Sequence, residues 1–215
     1  MEPRRLLVYG DSNTHGTVPM ARLGDMARFD AATRWTGPFA RALAPDWEVI
    51  EEGHPGRTTV HDDPVEGPHR NGLRILPAIL ESHRPIDLVL VMLGTNDLKL
   101  RFSVGPADIG LALERLARAI RMSGCGPGGG SPAVMLVAPP PIVETGCLAA
   151  MFAGGEAKSR ALGAEIRAAA GRYGAGSVDL GGRVAVSGLD GIHYDAATHA
   201  RIAAVLTEAV RAQFG

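Results

Sequence analysis

Cysteine is scarce in this chain of 215 residues. Cys125 and Cys147 are the only two, and no Cys-x-x-Cys pair occurs, which excludes a disulfide framework. Excess charge is also missing. Lys and Arg total 22 against 23 Asp and Glu, a net charge of −1, so there is no basic footprint of a nucleic-acid binder. No apolar run reaches membrane-spanning length. Met1–Arg5 leads straight into the strand-like Leu6–Tyr9, leaving no room for a secretory-signal core; a cytoplasmic protein is expected. Two nucleotide signatures are absent as well. Gly10 and Gly16 are separated by five residues without a middle glycine, unlike Gly-x-Gly-x-x-Gly, and the spacing and lysine of a phosphate loop are missing. His54, His61 and His69, spaced by seven and eight residues, match no common zinc pattern. No metal and no cofactor are expected.

What remains is an ordinary globular composition, 46% hydrophobic and 21% charged, long enough to bury a sizeable core. The length favours a single domain over residues 1–215. Strand-like runs fall at Leu6–Tyr9, Trp47–Ile50, Asp87–Leu93, Ala133–Ala138 and Ser177–Leu180. The third is the most apolar, which suits a central place in a parallel sheet. Between them lie helix-like stretches at Trp35–Leu43, around Leu73–Leu80, at Pro106–Met122 and at 156–172, with a closing helix over Ala196–Phe214. Gly124–Ser131 reads as a flexible surface loop. The alternation predicts an α/β fold: one doubly wound domain with about five parallel strands flanked by helices.

Such a sheet carries its chemistry just past the carboxyl ends of its strands. Ser12 sits there, in Gly10-Asp11-Ser12-Asn13 after the first strand, although a serine there also suits a helix cap. A serine hydroxyl needs a base, and the base needs a partner that fixes its tautomer. Gly188-Leu-Asp190-Gly-Ile-His193 supplies both within four residues: Asp190 can hold one imidazole nitrogen of His193 while the other faces Ser12. Acyl transfer also needs donors for an oxyanion. The backbone N–H groups of Ser12 and Gly56 and the side-chain amide of Asn96 all belong to strand-end loops. Asn96 equally suits a turn satisfying its own backbone.

These residues together resemble the SGNH (GDSL-type) hydrolases. Gly10-Asp-Ser12, Gly56, Gly94-Thr-Asn96-Asp97 and Asp190-Gly-Ile-His193 match that family's four blocks in order across nearly the whole chain. More narrowly, Arg34-Trp-Thr-Gly37, Glu51-Glu-Gly53, Arg57-Thr-Thr59, Asp62-Asp-Pro64, Met92–Asp97 and Ala138-Pro-Pro-Pro141 are similar to the bacterial arylesterase/acyltransferase branch. The resemblance implies a flavodoxin-like SGNH fold, a Ser12/Asp190/His193 triad and an oxyanion hole from Ser12, Gly56 and Asn96. It further implies a homo-oligomeric esterase of small, short-chain esters, with acyl transfer to alcohols in some members.

The match has departures. Asn13 replaces the leucine of the family name, and His15 stands where relatives often carry an aromatic residue. The loop after Pro141 is shorter than in the branch's acyltransferases. Pro139–Val143, Leu148, Met151 and Phe152 follow the fourth strand, where they can wall the site. Candidate substrate contacts are therefore Asp11, His15, Pro55, Ile142, Met151, Phe152 and Ile192. Two other readings compete: a carbohydrate acetyl esterase, and a non-catalytic ligand-binding module on the same fold, since a fold does not fix a function.

Overall fold

The computed structural model describes residues 2–215. Its five strands are β1 (Arg4–Gly10), β2 (Trp47–Gly53), β3 (Leu88–Met92), β4 (Ala133–Ala138) and β5 (Gly176–Asp179), all parallel, in the order β2-β1-β3-β4-β5. Alternate side chains of a strand point to opposite faces, and here both faces are covered. Leu7, Tyr9, Val89, Val91 and Leu136 share one core with side chains of α3 (Gly72–His83), α4 (Pro106–Arg121) and α6 (Leu162–Arg172). Leu6, Val8, Leu90, Met135 and Val137 meet α2 (Thr36–Leu43) and α7 (Ala196–Phe214) on the other face. Burial on both sides is why Leu88–Met92 reads as one apolar run. Each such side chain contributes about 1.5–3 kcal/mol when fully buried.

The chain leaves β1 toward β2 and later returns to β1's other edge as β3, so the strand order reverses between β1 and β3. The register places Gly10 level with Gly53 on one side and Met92 on the other. The loops after β1, β2 and β3 therefore open at one level, where open α/β sheets hold ligands.

Two expected elements differ. Residues 156–172 form two helices, α5 (Gly155–Ser159) and α6, broken at Arg160–Ala161. The Ser159 hydroxyl donates to the Glu156 carbonyl at 2.6 Å and accepts the Ile142 N–H at 3.1 Å. A side chain competing for helical carbonyls in this way ends the short helix. Gly124–Ser131 is a folded turn: Gly126 N–H donates to the Gly130 carbonyl at 2.8 Å, and Cys125 plugs the core beneath it. No helix among the described residues is long and apolar enough to cross a membrane.

Candidate active site

After β1 the chain turns sharply. Asp11 caps the single helical turn α1 (Ser12–His15), its Oδ1 accepting the Asn13 N–H at 2.9 Å. Gly10 allows the turn, because a Cβ there would lie 2.0 Å from Thr14 Oγ1. Ser12 is thereby held at the first position of the turn, nearly buried.

The loop before α7 brings the second and third groups. Gly191 has φ +73°, and a Cβ on it would fall 1.8 Å from the Val143 carbonyl oxygen. Glycine alone permits that close approach. The Asp190 carboxylate, wholly buried, accepts four hydrogen bonds. Oδ1 receives the N–H groups of Ile192 (3.0 Å) and His193 (2.9 Å); Oδ2 receives His193 Nδ1 and the Met20 N–H, each at 2.7 Å. Burial pushes this carboxyl up, but the hydrogen bond and charge of His193, with the backbone donors, outweigh it and hold Asp190 at about 2. The carboxylate fixes a proton on Nδ1, so Nε2 presents a lone pair. Nε2 stands 3.1 Å from Ser12 Oγ.

The other strand-end loops close around this line. In the turn after β2, Gly56 (φ +74°) lies under the Glu66 carboxylate, which a Cβ would meet at 2.6 Å. Arg57 ties this turn to β1, donating to the Gly10 carbonyl at 2.8 Å and lying 4.0 Å over the Tyr9 ring. The buried Asp97 accepts the Thr59 N–H at 3.1 Å, joining the loops after β2 and β3, and burial raises its carboxyl. Asn96 starts the 3-10 turn after β3, and its Nδ2 donates to Asp11 Oδ2 at 3.3 Å. Ser12, His193, Gly56 and Asn96 all line one cavity of about 350 Å³.

Of the expected substrate contacts, His15, Pro55, Met151, Phe152 and Ile192 line this cavity, and Leu148 joins them. Asp11 and Ile142 do not, which corrects their assignment. Asp11 is buried and turned to Asn13 and Asn96, and burial lifts its carboxyl to about 6. Ile142 is packed into the core, with its N–H on Ser159. His54 and His69 have ring centres 5.6 Å apart, while His61 stacks on Phe102. Among the described residues, no three His, Cys, Asp or Glu side chains converge as a ligand set.

Sequence reasoning missed Met20, Glu66 and Arg70. Met20 reaches Asp190 through its backbone, which leaves no side-chain signature. Its segment returns over the site by way of a Thr17–Arg28 bridge, carrying Leu23 and Met26 to the cavity wall. Glu66 and Arg70 sit in the irregular stretch before α3. Their spacing of four, with Lys99 just after the asparagine loop, was the one available signal.

The GDSL-like lipase/acylhydrolase family model matches residues 8–201. The native aryl esterase structure from M. smegmatis is 39% identical, covering 97% of this chain and 99% of that one, with a TM-score of 0.92. A carbohydrate acetylesterase from Sinorhizobium meliloti is 36% identical, covering 98% and 100%, with a TM-score of 0.93. A lipase/acylhydrolase structure from Enterococcus faecalis, at 19% identity and TM-score 0.69, covers 98% of this chain and 96% of that one and shares the fold. No curated protein matches the chain.

Proposed function

Because the chain belongs to the GDSL-like lipase/acylhydrolase family, we propose that it is a serine esterase of small, short-chain esters with Ser12 as nucleophile. The observation that carries this is the unbroken line from Ser12 Oγ to His193 Nε2 (3.1 Å) and from His193 Nδ1 to Asp190 Oδ2 (2.7 Å). Ser12 Oγ attacks the ester carbonyl carbon as its proton passes to His193 Nε2. Asp190 stabilises the imidazolium. The N–H groups of Ser12 and Gly56 and one N–H of the Asn96 amide receive the oxyanion; the other amide proton stays on Asp11. The tetrahedral adduct collapses, the alcohol leaves with the proton from His193, and an acyl-serine remains. Water attacks the acyl carbon as its proton passes to the same nitrogen, and collapse of the adduct returns that proton to Ser12 Oγ and releases the acid.

Acyl transfer is the finer part of this reading. The apolar side of the cavity, formed by Leu148, Met151, Phe152 and Ile192, supports it. Such a wall favours an alcohol with a hydrocarbon body over water, each buried methylene contributing about 0.8 kcal/mol. Homo-oligomerisation is supported by Leu23 and Met26, large apolar side chains 67% and 85% exposed at the cavity wall. The unpaired Cys125 and Cys147 support a cytoplasmic location.

The test is Ser12→Ala. Phenyl acetate hydrolysis should fall by several powers of ten with the melting temperature unchanged, as for other catalytic serines. Wild-type turnover by the folded variant would sink the assignment of Ser12 as nucleophile.

A further inference from the structure

Besides its apolar residues, the cavity is lined by the charged pair Glu66 and Arg70. Both side chains are anchored from behind. Glu66 Oε1 accepts Lys99 Nζ at 2.5 Å, and Lys99 is only 3% exposed. The Glu66 N–H donates to Asp63 Oδ1, which also takes Arg101 Nη1 at 2.9 Å. Arg70 Nη1 donates to the Pro55 carbonyl and lies 3.1 Å from His54 Nε2.

The front edges of the pair are open. Among the described residues Glu66 Oε2 accepts no hydrogen bond, and it stands 3.5 Å from Arg70 Nε as an ion pair. Arg70 Nε is enclosed and turned to Glu66, out of a ligand's reach, whereas Nη2 is not enclosed and donates to no described residue. Buried and half-buried polar groups are rarely left unmatched, because each costs free energy until a partner arrives. The pair thus offers one fixed acceptor beside a fixed donor group, directly over the Gly56 turn.

We infer that Glu66 and Arg70 form a subsite for a hydroxyl group carried by the ester, so that the site favours a hydroxylated ester over its deoxy counterpart. The inference rests on the esterase reading. A hydroxyl donates to Glu66 and accepts from Arg70 at once. A carboxylate on the substrate would face the Glu66 charge, and an ammonium group would face Arg70. Held in place before binding, the pair loses little side-chain freedom when it engages a ligand. The competing explanation is that Glu66 merely braces the Gly56 turn through Arg70 and the Asn96 loop through Lys99. That role would affect all esters alike.

The experiment compares kcat/KM for two near-isosteric pairs in wild type and E66Q. 2-Hydroxyethyl acetate against propyl acetate places the hydroxyl on the alcohol. Methyl glycolate against methyl propanoate places it on the acyl group. Dividing the variant's hydroxyl-to-deoxy ratio by the wild type's cancels intrinsic reactivity and any general loss. The quotient should be about 0.1 or lower for one pair, the size expected for a hydrogen bond to a charged group, and that pair identifies which half of the ester is bound. Quotients near one for both pairs would overturn the subsite and leave a brace. Should E66Q fail to fold, E66D keeps the charge that Lys99 requires while withdrawing the carboxylate, and the same quotients apply. Failure of wild type to cleave any of the four esters or phenyl acetate would refute the esterase reading itself, and the subsite with it.

Discussion

Asp190→Asn is the most informative single change, because all four partners of this carboxylate are donors. The N–H groups of Ile192 and His193 are fixed backbone on the Oδ1 side; His193 Nδ1 and the Met20 N–H lie on the Oδ2 side. An asparagine must turn its NH2 toward one of these pairs. The tight Gly191 loop cannot move its amides, so the NH2 faces His193 and Met20. The imidazole responds by shifting its proton to Nε2, where it can no longer accept from Ser12. A triad held in the wrong tautomer loses roughly a thousandfold to ten-thousandfold in kcat. Stability should fall as well. Asp190 sits near 2 in the folded protein, below the ordinary aspartate range, and is wholly buried. That depression corresponds to about 2 kcal/mol. The sign follows from the depression: the contribution is complete above about pH 4 and disappears as pH falls through about 2. Phenyl acetate kinetics at pH 7 and urea unfolding from pH 7 down to pH 3 test both halves. A folded Asp190→Asn protein within tenfold of wild-type kcat would refute the tautomer argument. A stability gap that does not shrink with acid would refute the electrostatic one.

Asn96→Ala should lower kcat roughly a hundredfold to a thousandfold, the cost of one oxyanion donor, with much less change in KM; a rise in KM alone would make Asn96 a binding residue. Phe152→Ala should raise the hexanoate-to-acetate ratio of kcat/KM by about tenfold, since the opened wall can bury methylenes at about 0.8 kcal/mol each; an unchanged ratio would remove Phe152 from the acyl boundary. With vinyl acetate and benzyl alcohol in buffer, gas chromatography should detect benzyl acetate beside free acetate. Acetate alone at saturating alcohol would leave a plain hydrolase.

Much of the fold could be read from sequence because parallel strands buried on both faces leave uninterrupted apolar runs, as at Leu88–Met92. The residues that meet at the cavity were legible for a related reason: Ser12, Gly56, Asn96 and His193 occupy the loops that follow strands or precede the last helix. Features resting on backbone groups were not legible. The Met20 N–H on Asp190 has no side-chain correlate, and the break at Arg160 depends on Ser159 bonding across to Ile142. Asp11 lies beside Ser12 and Ile142 follows the fourth strand, but the one is turned to Asn13 and Asn96 and the other packs into the core. Glu66 and Arg70 resemble ordinary solvated charges until Lys99 is seen buried behind them.

Ser12 and His193 lie 181 residues apart along the chain, one after the first strand and the other before the last helix. The ribosome therefore releases the serine long before its base. At about 5–20 residues per second the interval is roughly 10 to 40 s. Throughout it Ser12 is an ordinary alcohol without a proton acceptor at Nε2. Under the proposed mechanism, unfinished chains and fragments that end before His193 lack the base and do not turn over. By the same mechanism reactivity arrives only when Ser12 and His193 meet, which makes turnover a reporter of that long-range contact.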